Sequence, residues 1–447
     1  MNNRLVIYGA ELCNEGRRFT GTLVVEGTRI SHIHEGTDMP LPAEGAQVVD
    51  GRGMLLLPGV IDDHVHMRDP GLTRKATMDT ESAAAAAGGV TTVMDMPNVV
   101  PQTVTLERVE EKLAYASCHC HVNHAFYLGA TNDNINEIRN ADPRRIPGIK
   151  LFMGSSTGNM LVDKRGQLER IFRESPMLVM AHCEDTARIT SRMKEVAQRC
   201  GTDDPDVTHH AEIRDAGCCL MSSRLAVEMA LEAGARLHIA HLTTAAETEM
   251  VRRLHNPLIS AEACVAHLLY TDADYQRLGT RIKCNPSIKS AADRDALRRA
   301  VADGTIPIVA TDHAPHLLPE KEGGCRTAMS GMPMVELSLP SMLEMAGEGL
   351  FSIERVVEAM CHNPARLFQI SRRGFLREGY QADMVLVRPC KGYKVEGSRL
   401  HSLCGWSPRE GDTLHWQVER TWVNGRQVWD GRQVDRSVMG EALVFDR

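Results

Sequence analysis

From residue 58 onward, short apolar runs alternate with longer stretches in which apolar residues recur at helical spacing. Eight of the short runs read as buried strands: GVIDDHV, VTTVMDM, VNHAFYL, GIKLFM, MLVMAH, RLHIAH, LISAEA and IPIVAT. Between them lie helical patterns such as TMDTESAAAAAGG and AVEMALEAG. Eight strands alternating with helices predict an α/β chain closed into a (β/α)8 TIM-type barrel, whose functional groups stand at the C-terminal ends of its strands. The two ends of the chain are patterned differently. LVIYGA and TLVVEGTRISHI near the start, and ADMVLV and VERTWVNGRQVW near the end, are β-rich. Asn424-Gly425 between two alternating runs predicts a two-residue hairpin. The termini, 1–57 and 376–447, are therefore expected to form a small β-sandwich domain beside a barrel over 58–375.

Composition narrows the class further. At 447 residues the chain is long enough for a barrel and a satellite domain. Its net charge of -7 gives no electrostatic reason to expect a nucleic-acid partner. No uncharged apolar run reaches about 18 residues, so no membrane span is expected. The start, MNNRLVIYGAELC, lacks an apolar signal-peptide core. Thirteen scattered cysteines without a leader then read as reduced thiols of a cytoplasmic protein. The 19 histidines are the unusual feature.

Several of these histidines fall at strand ends. His64 and His66 form His-x-His after the first strand, and residues i and i+2 of a strand face the same side. By itself this spacing is weak, since His119-Cys120-His121 repeats it before the third strand and reads as structural or surface. His182 ends MLVMAH and His241 ends RLHIAH; either alone would read as a satisfied core histidine. Lys150 sits among apolar residues in GIKLFM, where a snorkelling or ion-paired lysine is the plain alternative. Asp312 follows IPIVAT and, alone, would read as a helix cap. Together, four imidazoles, an amine and a carboxylate on one rim point to a metal site. They are few ligands for two zinc ions. Carbamylation of Lys150 by carbon dioxide would supply the missing bridging anion.

Asp-x-His-x-His, a strand-end lysine, two strand-end histidines and a final aspartate resemble the amidohydrolase superfamily with a binuclear zinc centre, over nearly the whole chain. The resemblance implies that His64, His66 and Asp312 hold the more buried Zn2+. It implies that His182 and His241 hold the second, with carbamylated Lys150 between them and Asp312 as general acid–base. Within the superfamily, HVHMRDPG with Arg68 and DMPN with Asn98 look like dihydroorotase motifs. Arg68, Asn98 and His316 would then grip a substrate carboxylate, with Asn285 of KCNPSIK nearby. The implied reaction is reversible cyclisation of N-carbamoyl-L-aspartate to L-dihydroorotate, a step of pyrimidine biosynthesis.

The expected partner is thus a small-molecule carboxylate, and such barrels often pair, which makes a homodimer an open expectation. An allantoinase- or hydantoinase-type ring hydrolase, or an inactive dihydroorotase-like scaffold for a partner enzyme, are the alternatives. Two departures from dihydroorotase patterns stand out. The segment Lys150 to Asn159, KLFMGSSTGN, replaces an Asp-Asp-Gly segment whose aspartate bridges the metals in many bacterial relatives. EACVAHLL departs from a His-His-Leu run, leaving His267 as a structural residue.

Overall fold

The computed structural model describes residues 4–38, 45–154 and 160–447; the Ser155–Asn159 part of the segment after Lys150 lies outside them. All eight expected strands form, as Val60–Val65, Val90–Asp95, Asn123–Phe126 continued by Leu128–Gly129, Ile149–Phe152, Val179–His182, Leu237–Ile239, Ile259–Cys264 and Ile308–Ala310. Each pairs in parallel with the next in sequence order. Closure between the eighth and first strands is made by polar groups. The Val65 and His313 backbones bridge in parallel, and His66 N–H donates to His313 O at 2.7 Å. Buried Asp62 accepts from Thr311 Oγ1 at 2.6 Å and from Thr311 N–H at 3.2 Å. The ring of strands is therefore sealed directly beside His64 and Asp312.

Inside the barrel, Ile61, Met94, Ala125, Tyr127, Met180 and Ile308 pack with Phe368, Leu443 and Phe445 into one apolar cluster. Such a filled interior makes the barrel a packed core and not a pore, so chemistry is confined to the rim. Helices take their bounds from local signals. The TMDTESAAAAAGG helix starts on Thr77, whose side chain accepts from Thr80 N–H. The AVEMALEAG helix, Ala216–Ala233, is capped by Asp215 and ends on Gly234 at φ 65°.

Strands from both termini join a single eight-stranded sheet, with Leu55–Pro58 pairing antiparallel to Met384–Lys394. That pairing builds the small β-sandwich domain, over a core that includes Ile7, Leu23, Leu56, Met384 and Trp422. Asn424-Gly425 makes the expected tight turn, with φ of 50° and 74°. The last residues then leave the sheet: Leu443 N–H donates to His124 O, and Phe445 N–H to Arg144 O, on the barrel. All thirteen cysteines are free thiols. Among the described residues, no helix is long and apolar enough to cross a membrane.

Arg373 ties these parts together. Its Nη1 donates to buried Asp383 and, at 2.7 Å, to Asn424 Oδ1, while Nη2 reaches Glu441 at 3.2 Å. Arg373→Met is expected to destabilise the protein by about 3–5 kcal/mol in urea unfolding, because Asp383 is left buried and unpaired. Breaking the exposed Arg253–Glu249 pair should cost less than about 1 kcal/mol. Equal effects would contradict the assignment of Arg373 as a buried tie.

Candidate metal centre

One cleft at the C-terminal rim is lined by His64, His66, Arg68, Asn98, Lys150, His182, His241, Asn285 and Asp312. Nine of the ten residues singled out from sequence thus converge. The donor atoms are close together. Asp312 Oδ1 lies 3.0 Å from His66 Nε2 and 3.4 Å from His64 Nε2, and His182 Nδ1 lies 2.9 Å from His241 Nε2. Ligand atoms of His64, His241 and Asp312 all fall within 4.8 Å of one another.

The far side of three rings is fixed by hydrogen bonds. His64 Nδ1–H donates to Glu262 Oε1 at 2.5 Å, and His182 Nε2–H to Glu184 Oε2 at 3.1 Å. His66 Nδ1–H donates to Asn98 Oδ1 at 2.8 Å. An ionised carboxylate or an amide oxygen can only accept, so these contacts set the tautomers and leave a lone pair on the opposite nitrogen, facing the cleft. Burial lowers the His66 ring to about 4 despite the pull of Asp312, and burial also lowers His182 and His241. Neutral imidazoles are the metal-ligating form. For Asp312, burial alone would raise the carboxyl, but His64, His66 and His241 outweigh it and hold it well below the usual range.

Lys150 is fully buried, and its Nζ has no hydrogen-bond partner among the described residues, lying 5.3 Å from the centre of the Phe152 ring. Burial lowers its ammonium. A buried amine that no side chain among the described residues satisfies, in one cleft with four imidazoles and a carboxylate, fits a site built to hold divalent metal ions.

The backbone is strained where the side chains matter. Arg68, His241 and Asp312 adopt φ of 63°, 37° and 48°, a region non-glycine residues rarely enter and that costs of order 1–3 kcal/mol each. The RDPG turn carrying Arg68 also needs Gly71: at φ 82°, a Cβ there would lie 1.8 Å from Val100 O in the adjoining MPNVV loop. Val100 N–H donates to Pro70 O at 3.2 Å, so the two motif loops are joined at the mouth of the cleft.

The tenth residue, His316, is not among those lining the cleft and stands behind Arg68. Its Nδ1 lies 3.0 Å from Lys75 Nζ and its Nε2 3.1 Å from Ser330 O. Arg68 Nη2 lies 3.0 Å from the same Nε2, and Arg68 Nε donates to Pro315 O at 3.1 Å. Burial, with Arg68 and Lys75 adding to it, pushes the His316 ring far down. Asn285 lines the cleft with a buried Oδ1 that lacks a partner among the described residues. His267 donates to Pro286 O at 3.1 Å. His121 bonds Asp79 and Val438 O, each at 2.9 Å, and His119 stacks on Tyr115.

Sequence reasoning missed Glu262, Glu184 and Lys75. Glu262 was visible as the one charged residue in the apolar run LISAEA, and Glu184 as the i+2 neighbour of His182. Lys75 gave no comparable signal.

The Amidohydrolase family model matches residues 55–428. A dihydroorotase of Halobacterium salinarum is 38% identical over 92% of this chain and 93% of that protein. An allantoinase of Streptomyces avermitilis is 31% identical over 92% of this chain and 94% of its own length. Among solved structures, an L-hydantoinase (dihydropyrimidinase) from Arthrobacter aurescens superposes with a TM-score of 0.89 at 27% identity, covering 97% of each chain.

Proposed function

The chain belongs to the amidohydrolase family, and from that premise we propose that it is a metal-dependent cyclic amide hydrolase, specifically a dihydroorotase. In this reading it interconverts N-carbamoyl-L-aspartate and L-dihydroorotate, with two Zn2+ per chain bridged by carbamylated Lys150. The observation that carries it is a buried arginine on the wall of a cleft whose floor is a set of metal-type donors. Nε and Nη2 of Arg68 are engaged by Pro315 O and His316, which leaves Nη1, among the described residues, for a carboxylate. Dihydroorotate carries that carboxylate; hydantoin and allantoin rings do not.

His64, His66 and Asp312 would hold one metal, His182 and His241 the other. Bound divalent ions would supply Lewis-acid polarisation of a ring carbonyl and activation of water. To form the bridge, the neutral Lys150 amine attacks carbon dioxide: an N–C bond forms, one proton leaves, and the side chain becomes a carbamate anion. Burial, which lowers its basicity against the opposing pull of Glu262 and Asp312, favours the attacking form. Asp312 accepts the proton from the attacking water and returns it to the departing ring nitrogen. Arg68 and Asn98 hold the substrate carboxylate, Asn285 Oδ1 accepts from a ring N–H, and His316 supports the arginine from behind. Orientation of the ring over the donors follows from these contacts.

The discriminating experiment follows absorbance of dihydroorotate, allantoin and hydantoin with the same holoprotein. Turnover of dihydroorotate well above the other two is expected. Arg68→Met should raise KM for dihydroorotate about 100-fold, the worth of a charged hydrogen-bonded pair, with kcat less affected. Unchanged dihydroorotate kinetics in that variant, or preference for allantoin in the wild type, would move the assignment to the allantoinase reading that the Streptomyces relative favours.

A further inference from the structure

Beneath the donor set lies a carboxylate whose bond to the His64 ring is only part of what it holds. Glu262 is fully buried in the seventh strand. Its Oε1 accepts from His64 Nδ1–H at 2.5 Å and also from the main-chain N–H of His241 at 3.0 Å. Its Oε2 lies 3.2 Å from His238 Nε2, whose other ring nitrogen meets Ser260 Oγ at 2.8 Å. The carboxylate is thus itself held in place from below.

In the metal assignment proposed above, the two groups that share Oε1 belong to different metal positions, although ligand atoms of His64, His241 and Asp312 also fall within 4.8 Å of one another. His64 stands with Asp312 and His66; His241 stands with His182. The His241 main chain has a left-handed φ of 37°, a conformation that persists only where surrounding contacts enforce it. The bond to Glu262 is such a contact. It places the His241 backbone, while the bond to His64 aims a ring.

We propose that Glu262 is a positioning residue that couples the two metal positions, one oxygen fixing a ligand of each. This rests on the metal-centre reading. Glu184 supplies the internal comparison: among the described residues its bond to the donor set is to His182 alone, and Arg214 holds it there. Loss of Glu262 should therefore loosen both metals together, and loss of Glu184 only one.

Zinc-loaded wild type, Glu262→Gln and Glu184→Gln are titrated with a chromophoric chelator, and the zinc released per chain is counted at each step. Melting curves and far-ultraviolet circular dichroism on the same samples separate metal loss from unfolding. Glutamine keeps the shape but surrenders the charge that makes both bonds strong. Glu262→Gln is expected to release both metals in one step, at about 10- to 100-fold lower chelator concentration than wild type. Glu184→Gln is expected to release one early and the other near the wild-type point.

Retention of both metals by Glu262→Gln as in wild type, release of only one, or joint release from Glu184→Gln each overturns the proposal. If the glutamine variant does not fold, Glu262→Asp takes its place. It keeps the charge but withdraws the oxygens by one methylene, so joint loosening is again expected, and wild-type retention again overturns the idea. A wild-type chain that holds fewer than two zinc ions is a different failure: it removes the metal-centre reading itself.

Discussion

Lys150→Ala is expected to lose its metals on dialysis and at least about 10³-fold of kcat, since metal catalysis of this kind supplies several kcal/mol. The loss should not come from unfolding. The Lys150 amine is buried and has no hydrogen-bond partner among the described residues, so in the metal-free protein it is expected to cost stability and contribute none. Lys150→Met, which fills the same space without the amine, is accordingly expected to melt at or above the metal-free wild type while remaining inactive. The alanine variant leaves a hollow beside His182 and Phe152 that admits a short acid. Millimolar acetate or propionate should restore part of the turnover to Lys150→Ala and none to Lys150→Met. Bicarbonate should speed zinc reconstitution of the wild type and have no effect on either variant. Wild-type zinc content and turnover in Lys150→Ala would remove the bridging role.

How much of this was legible beforehand divides along physical lines. The eight strands and both terminal β segments follow from period-two and period-3.6 patterning, and buried parallel strands are near-continuous apolar runs that turn residues delimit. His64, Lys150, His182, His241 and Asp312 stood out because polar residues at the ends of such runs are costly without a purpose. What the pattern could not show was side-chain traffic behind the rim. His316 and Arg68 both read as substrate contacts, yet His316 faces Lys75 and Ser330 O, with the arginine between it and the cleft. Asn98 read as a substrate donor, and its Oδ1 also aims His66. These are matters of which atom meets which across loops 14 to 248 residues apart in the chain, and hydrophobic periodicity carries no information about them.

The left-handed backbones were equally hidden. Asp and His enter this region more readily than most residues and Arg seldom does, but nothing in the apolar runs before them marks His241 or Asp312 for it, and all three adopt it within one cleft. Where strain clusters with unsatisfied buried donors and acceptors, folding stability has been given up for geometry, and the surrounding hydrogen bonds must hold it. Asp62, Glu184 and Glu262 are those bonds here: Asp62 seals the barrel next to the site, and the two glutamates orient rings within it.

That strain decides how Asp312 should be tested. Alanine at φ 48° pays for a left-handed backbone that asparagine tolerates, so Asp312→Ala confounds strain with chemistry and Asp312→Asn does not. Asparagine also retains one oxygen near His66 and His64, but it cannot take a proton. Asp312→Asn is therefore expected to fold with a melting temperature near wild type and to lose about 10²- to 10⁴-fold of kcat, the usual weight of a general base. Asp312→Ala should lose more, because a metal ligand goes with the base. Binding of dihydroorotate, measured by calorimetry, should change by less than about tenfold in Asp312→Asn, since the proposed reading assigns the substrate carboxylate to Arg68 and Asn98, not to Asp312. A kcat within tenfold of wild type in Asp312→Asn would show that another group moves the proton. A parallel collapse of binding would show instead that the carboxylate acts by shaping the cleft.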